Sequence, residues 1–141
     1  MAFAIDTSTA FGARAAQRLT GELIGWLITV SPAGAPQTVP VWFLWDGAGS
    51  VLVYSRPDTL KLRNIEVNPR VVLHLDSDGR GGNVVVLSGR ARLSDDPPAD
   101  RIGEYIDKYR ERIERNGWTP ASFAADYSVP LRIELTRLSG H

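Results

Sequence analysis

Within eleven residues, from Tyr54 to Asn64, the chain gathers a phenol, a hydroxyl, two guanidinium groups, an ammonium and a carboxamide on Tyr54, Ser55, Arg56, Lys61, Arg63 and Asn64. Ser50–Ser55 reads as a strand, Arg56-Pro57-Asp58-Thr59 as a break that can cap a helix, and Leu60–Val67 as a short helix stopped by Asn68-Pro69. A helix N-terminus offers free amides and the positive end of its dipole, so basic and hydroxyl groups beside it suit an anionic phosphate. The same basic residues also make a solvated helix face, and the pattern alone leaves both readings open. Other chemistry is sparse. There is no Cys, and the only histidines are His74 and His141, which argues against thiol nucleophiles, thiolate metal sites, disulfides and a multi-histidine metal site. Asp76-Ser77-Asp78-Gly79 begins like a calcium loop, but Leu87 stands where the closing glutamate is required, so it reads as a turn. Nucleophile-elbow, Walker and His-Glu-x-x-His patterns are absent.

The elements that position this segment are mostly strands. Thr7-Ser8-Thr9 caps a first helix that Gly21 can end, and Ile24–Val30 is β-branched and aromatic. Ser31–Pro36 is turn chemistry leading into a second strand, Gln37–Trp45, and Asp46–Gly49 turns into the third, Ser50–Ser55. Val71–Asp76 and Asn83–Leu93 are the fourth and fifth, with Gly89 marking a bulge or bend, and Val129–Leu138 is the sixth. Between the fifth and sixth lie a helix over Pro98–Asn116 and a short one over Pro120–Tyr127. In the longer helix Ile102, Tyr105, Ile106, Tyr109 and Ile113 form one apolar stripe, and Glu104/Lys108 and Glu111/Arg115 are candidate pairs on its wet face. Alternation along the second strand puts Val41, Phe43 and Trp45 on one face and Trp42 and Leu44 on the other. The expectation is one domain over residues 1–141, mainly β with peripheral helices, its six strands closed or nearly closed into a barrel.

Gly34-Ala35-Pro36, Val39-Pro40-Val41-Trp42-Phe43, Tyr54-Ser55, Lys61, Asn64 and Asn68-Pro69-Arg70 occur in that order and at intervals that resemble the split-barrel flavoproteins related to pyridoxamine 5'-phosphate oxidase. Within them the chain is most similar to the branch that uses coenzyme F420, a 5-deazaflavin, in place of FMN. The resemblance covers roughly residues 20 to 95, and more loosely the last helix and strand. It implies a six-stranded FMN-binding-type split barrel, a homodimer, and a cofactor groove between subunits. On that basis Lys61 holds the cofactor phosphate, supported by Ser55, Arg56, Arg63 and Asn64, Tyr54 belongs to the same cofactor-binding set, and Pro40, Val41 and Trp42 lie beside the ring. Trp42, Phe43 and Trp45 read equally well as core and dimer packing. The chain departs from true pyridoxamine phosphate oxidases at its end, Arg137-Leu138-Ser139-Gly140-His141, where the substrate-contacting segment would continue with proline.

The function implied is hydride transfer between a reduced deazaflavin and a small organic acceptor. An FMN-binding oxidoreductase of the same fold is the alternative, as is a non-catalytic carrier of deazaflavin or a tetrapyrrole. Tyr54, His74 and Tyr127 are the candidate proton donors. The charge balance of 16 basic against 16 acidic residues gives no electrostatic footprint for nucleic acid. The apolar runs are too short to span a bilayer, and Met1–Asp6 lacks the basic and apolar regions of a signal peptide, so the reading is cytoplasmic.

Overall fold

Turn chemistry decides the strand pairings. In the computed structural model, which describes residues 2–141, Gly34 takes a left-handed φ of 86°. Ser31 closes that turn by donating its amide to the Ala35 carbonyl and accepting the Ala35 amide on its hydroxyl, at 2.9 and 3.0 Å. The turn joins β1 (Gly25–Val30) to β2 (Pro36–Val41) as an antiparallel hairpin, in register from Gly25↔Val41 to Val30↔Pro36. After β3 (Leu44–Trp45), the Asp46 carboxylate accepts from the Ala48 and Ser50 amides, and the chain returns as β4 (Ser50–Ser55). Then come β5 (Arg70–His74), β6 (Val85–Leu93) and β7 (Val129–Gly140).

All pairings are antiparallel, in the order β2-β1-β5-β6-β7-β4-β3. The sheet therefore has seven strands, where the sequence led us to expect six. The difference lies in Gln37–Trp45, read as one strand. Its first part pairs with β1 and its last two residues with β4, so one chain segment supplies both edges of the sheet. Trp42-Phe43 crosses the gap between those edges without a ladder partner, and this is where the barrel is split. Gly89 does mark a bulge: the β6–β7 register shifts at Ser88/Gly89.

Four helices decorate the sheet: α1 (Ala10–Gly21), α2 (Leu60–Val67), α3 (Gly103–Arg115) and α4 (Pro120–Asp126). Thr9 caps α1 by accepting the Gly12 amide at 2.9 Å. The helix expected over Pro98–Asn116 is interrupted. A 3-10 turn at Ala99–Arg101 ends at Ile102, which is extended (φ −107°, ψ 99°), and α3 starts at Gly103. Among the described residues no helix is long and apolar enough to cross a membrane.

Two apolar clusters result. The barrel interior holds Leu27, Phe43, Val53, Leu73, Leu87 and Leu131, with Leu62 and Ile65 of α2 closing one end. The second cluster packs α3 and α4 on the outside of the sheet, and the whole expected stripe from Ile102 to Ile113 lies in it. Each fully buried large apolar side chain contributes about 1.5–3 kcal/mol. The alternation read along the second strand survives the break: Val41, Phe43 and Trp45 belong to the barrel cluster, Trp42 and Leu44 to the outer one.

Candidate functional site

A cleft of about 270 Å³ opens where the sheet is split. Its lining comes from four parts of the chain: Pro40, Val41 and Trp42 at the crossing, Tyr54 on β4, Lys61 on α2, and Asn116, Trp118, Phe123 and Tyr127 from the end of α3 through α4. The walls are aromatic and mutually braced. Trp42 stacks on Phe123 at 5.2 Å between ring centroids, and Phe123 stacks on Tyr127 at 4.7 Å with a 12° interplanar angle. A capping box holds α4 in place, with the Thr119 hydroxyl accepting the Ser122 amide and the Ser122 hydroxyl accepting the Thr119 amide, both at 3.0 Å.

Lys61 carries the only charge among the lining residues, and it forms no salt bridge among the described residues. It is half-buried, and that desolvation lowers its ammonium pKa from the usual lysine value. Lys61 sits in the first turn of α2, which has no acidic residue and whose Thr59 N-cap makes no side-chain bond to the helix amides. Thr59 is engaged elsewhere, its hydroxyl 3.2 Å from that of Ser55. An ammonium beside uncapped first-turn amides is a place for an anion.

Of the residues expected from sequence, Pro40, Val41, Trp42, Tyr54 and Lys61 line this cleft together. Arg56 stands at its rim, its guanidinium 5.6 Å from the Tyr127 ring centroid. Ser55, Arg63 and Asn64 lie outside the lining. Ser55 is buried beneath the turn, donating to the Arg56 carbonyl at 2.8 Å. Arg63 is exposed and reaches back to the Asp58 carbonyl at 3.4 Å. Two positions along a helix are about 200° around it, so Arg63 and Lys61 look in opposite directions. Asn64 is 1% exposed, and its amide nitrogen donates to Thr29 Oγ1 and Gln37 Oε1 at 3.0 and 2.6 Å. It ties α2 to β1 and β2.

The three candidate proton donors separate in the same way. The Tyr54 hydroxyl donates to the Pro97 carbonyl, and burial, reinforced by Asp96, pushes its pKa up to about 12. His74 sits on β5 with Nδ1 3.1 Å from the Leu75 carbonyl, outside the cleft lining. Tyr127 lines the cleft, and its hydroxyl makes no hydrogen bond among the described residues. Asn116, Trp118 and Phe123 were not anticipated. Their only sequence signal is the aromatic density of Trp118, Phe123 and Tyr127 around Pro120.

A family model described as pyridoxamine 5'-phosphate oxidase matches residues 11–139. No curated protein matches the sequence. Among solved structures, a protein named F420 reductase is 26% identical, with a TM-score of 0.63 over 87% of this chain and 94% of that one. A conserved hypothetical protein from Mycobacterium tuberculosis is 22% identical, with a TM-score of 0.67 over 98% and 87%. HutZ, described as a heme storage protein from Vibrio cholerae, is 17% identical, with a TM-score of 0.61 over 88% and 90%. The match to the family model spans nearly the whole chain, and the curled antiparallel sheet agrees with it: the chain belongs to the pyridoxamine 5'-phosphate oxidase family.

Proposed function

We propose that the cleft holds a phosphorylated flavin-like cofactor, coenzyme F420, and that the protein is an oxidoreductase moving a hydride between that cofactor and a small organic acceptor. The observation that carries this reading is the make-up of the cleft: a braced aromatic wall, one unpaired ammonium and no carboxylate among the lining residues. That donor set fits a planar ring system with a phosphate. A bound reduced deazaflavin supplies the hydride.

The chain's own residues bind and orient. Lys61 and the first amides of α2 hold the phosphate charge, with Arg56 at the rim. β2 is an edge strand, so its outward backbone groups are free to bond a polar ring edge. Trp42, Trp118 and Phe123 exclude water, and Tyr127 is the donor of a proton to the reduced product. The preference for F420 over FMN is supported by the 26% identity to a protein named F420 reductase. The reading includes a homodimer that completes the groove. In support, Val39 of β2 and Leu60 and Val67 of α2 are exposed at 37%, 46% and 64%, on the elements that carry Pro40 and Lys61.

Paired titrations with F420 and FMN, followed by tryptophan quenching, test the proposal. Micromolar or tighter F420 binding with weak FMN binding is expected, together with acceptor-dependent reoxidation above the rate of free cofactor. Lys61→Ala should weaken binding roughly ten- to a hundredfold, the range for losing a charge-assisted contact. Reversed preference makes the protein an FMN oxidoreductase, and binding without turnover makes it a carrier. Failure to bind either cofactor removes the function, and sedimentation at the monomer mass removes the shared groove.

A further inference from the structure

The crossing at the split of the barrel is held from outside by two consecutive residues of α3. The Phe43 amide donates to Tyr109 Oη at 2.8 Å. The Phe43 carbonyl accepts from Lys108 Nζ at 2.8 Å and lies 3.0 Å from Tyr109 Oη. That hydroxyl is also 2.8 Å from the Leu23 carbonyl and has one proton to give, so Lys108 is the constant donor to Phe43. The Tyr109 ring lies flat on Trp42, 4.5 Å between centroids and 3° from parallel. Trp42 lines the cleft, whereas Lys108 and Tyr109 do not.

We propose that Lys108 and Tyr109 are positioning residues for the cleft, fixing the Trp42-Phe43 crossing and with it the Trp42 wall. The consequence for cofactor affinity rests on the function proposed above. The Lys108 ammonium stands 3.9 Å from the Phe43 ring centroid and 5.4 Å from that of Tyr109. Cation–π attraction needs the charge, and a charged donor bonds a carbonyl about twice as strongly as a neutral one.

Three carboxylates surround Lys108. Glu22 at the end of α1 favours its charged form, although Arg18 already pairs with that carboxylate. Glu104 and Asp107, on α3 itself, line the same shallow groove, and Asp107 is 3.3 Å from Arg110. Leu44 and Trp45 bring no charge from β3. Burial outweighs these groups and lowers the Lys108 pKa to about 8. Glu104 forms no ion pair with Lys108, contrary to the sequence reading, because the amine is turned to the Phe43 carbonyl. Glu111 and Arg115 do pair, at 2.8 Å.

The test compares wild type, Lys108→Met, Lys108→Arg and Tyr109→Phe at neutral pH. One readout is near-UV circular dichroism of the stacked Trp42–Tyr109 pair without cofactor. The other is affinity for whichever of F420 or FMN binds. Lys108→Met and Tyr109→Phe should each lose part of the dichroism signal and bind about three- to tenfold more weakly, the scale of coupling through a packed network. Lys108→Arg keeps a charged donor and should restore both. Wild-type dichroism and affinity in Lys108→Met overturn the proposal. A dichroism signal lost in Lys108→Met and kept in Lys108→Arg, with no cofactor bound, upholds the positioning role and refutes the proposed function. If Lys108→Met fails to fold, Tyr109→Phe decides: unchanged dichroism and affinity overturn the proposal, and their loss upholds it.

Discussion

Tyr105 and Tyr109 lie one turn apart on α3, both 0% exposed, with ring centroids 5.1 Å apart. Their hydroxyls have opposite circumstances. That of Tyr109 accepts the Phe43 amide and reaches two carbonyls, while that of Tyr105 is buried with no partner. Removing each hydroxyl in turn should therefore move stability in opposite directions. In Tyr109→Phe the Phe43 amide is orphaned where its residue is 0% exposed, and the Leu23 carbonyl loses its donor. An orphaned buried donor costs about 1–3 kcal/mol, and with the weaker carbonyl loss the total is about 2–4 kcal/mol. The Phe43 carbonyl keeps Lys108, which limits the damage. Tyr105→Phe deletes only a desolvated, unpaired group, so stability should stay level or rise by up to about 1–2 kcal/mol.

Urea unfolding followed by tryptophan fluorescence separates the two variants, because the ring packing is conserved in both. The midpoints should move apart while the slopes stay equal to that of wild type. A domain of this size has about 5–15 kcal/mol in all, so the Tyr109→Phe loss is easily resolved. Tyr105→Phe destabilising as much as Tyr109→Phe would refute the reasoning, since its hydroxyl would then have a partner worth as much. Tyr109→Phe within about 0.5 kcal/mol of wild type, the usual range for surface changes, would show that the crossing is not held by this residue.

Arg132 grips Asp96 through two bonds of 2.9 and 3.0 Å and reaches Ser50 Oγ at 2.9 Å, so Arg132→Met should cost about 1–3 kcal/mol in denaturant melts. Arg132 holds the Asp96 carboxyl below its ordinary value of 3.8; the stabilisation is present above that pH and lost as pH falls further, and the variant should lack that part of the acid slope. At Gly89 a Cβ would stand 2.7 Å from the Glu134 carbonyl oxygen and 2.8 Å from Ile133 Cγ2, so Gly89→Ala should lose about 1–3 kcal/mol. Gly103→Ala meets open space at the start of α3 and should be neutral or slightly stabilising in the same denaturant melts. In alkali, Lys61 and Lys108 give up protons in the folded state below the usual 10.5, so stability should rise from about pH 8 toward 10. Above pH 10 it should fall, because Tyr54, Tyr105 and Tyr109 keep protons when folded that the unfolded chain releases. A monotonic decline from pH 8 upward would count against this assignment.

The features legible in the sequence were those set by neighbouring residues. The Ser31–Pro36 turn, the stop at Asn68-Pro69, the Gly89 bulge and the α3 stripe all follow from dihedral limits or periodicity within a few residues. The break at Trp42-Phe43 has no such local cause, for neither residue is a glycine or a proline. It exists because Val41 answers to Gly25 on one side of the split and Leu44 to Leu52 on the other. The group that makes a ladderless Phe43 tolerable is a hydroxyl 66 residues away. Alternation was nonetheless legible across the break, because side-chain facing is dictated by which cluster each residue must join, and that demand persists where the ladder stops.

The site divides along the same line. Tyr54 and Lys61 stood out in the sequence as polar groups gathered at a helix start, and both line the cleft, while the helical wheel separates Arg63 from Lys61. Asn64 advertised itself equally, and the structure sets it buried outside the cleft lining, bridging α2 to β1 and β2; a buried carboxamide bridging strands and one touching a ligand have the same sequence appearance. The aromatic wall was hidden for a different reason. Trp118 and Phe123 look like core residues, and in part they are: Phe123 is 3% exposed and packs in the outer cluster. What makes one side of that cluster a cleft wall is space left at the split, where the two edges of the sheet do not pair. Space has no residue to represent it. The split itself was legible only through the family resemblance, and the cleft follows from the split.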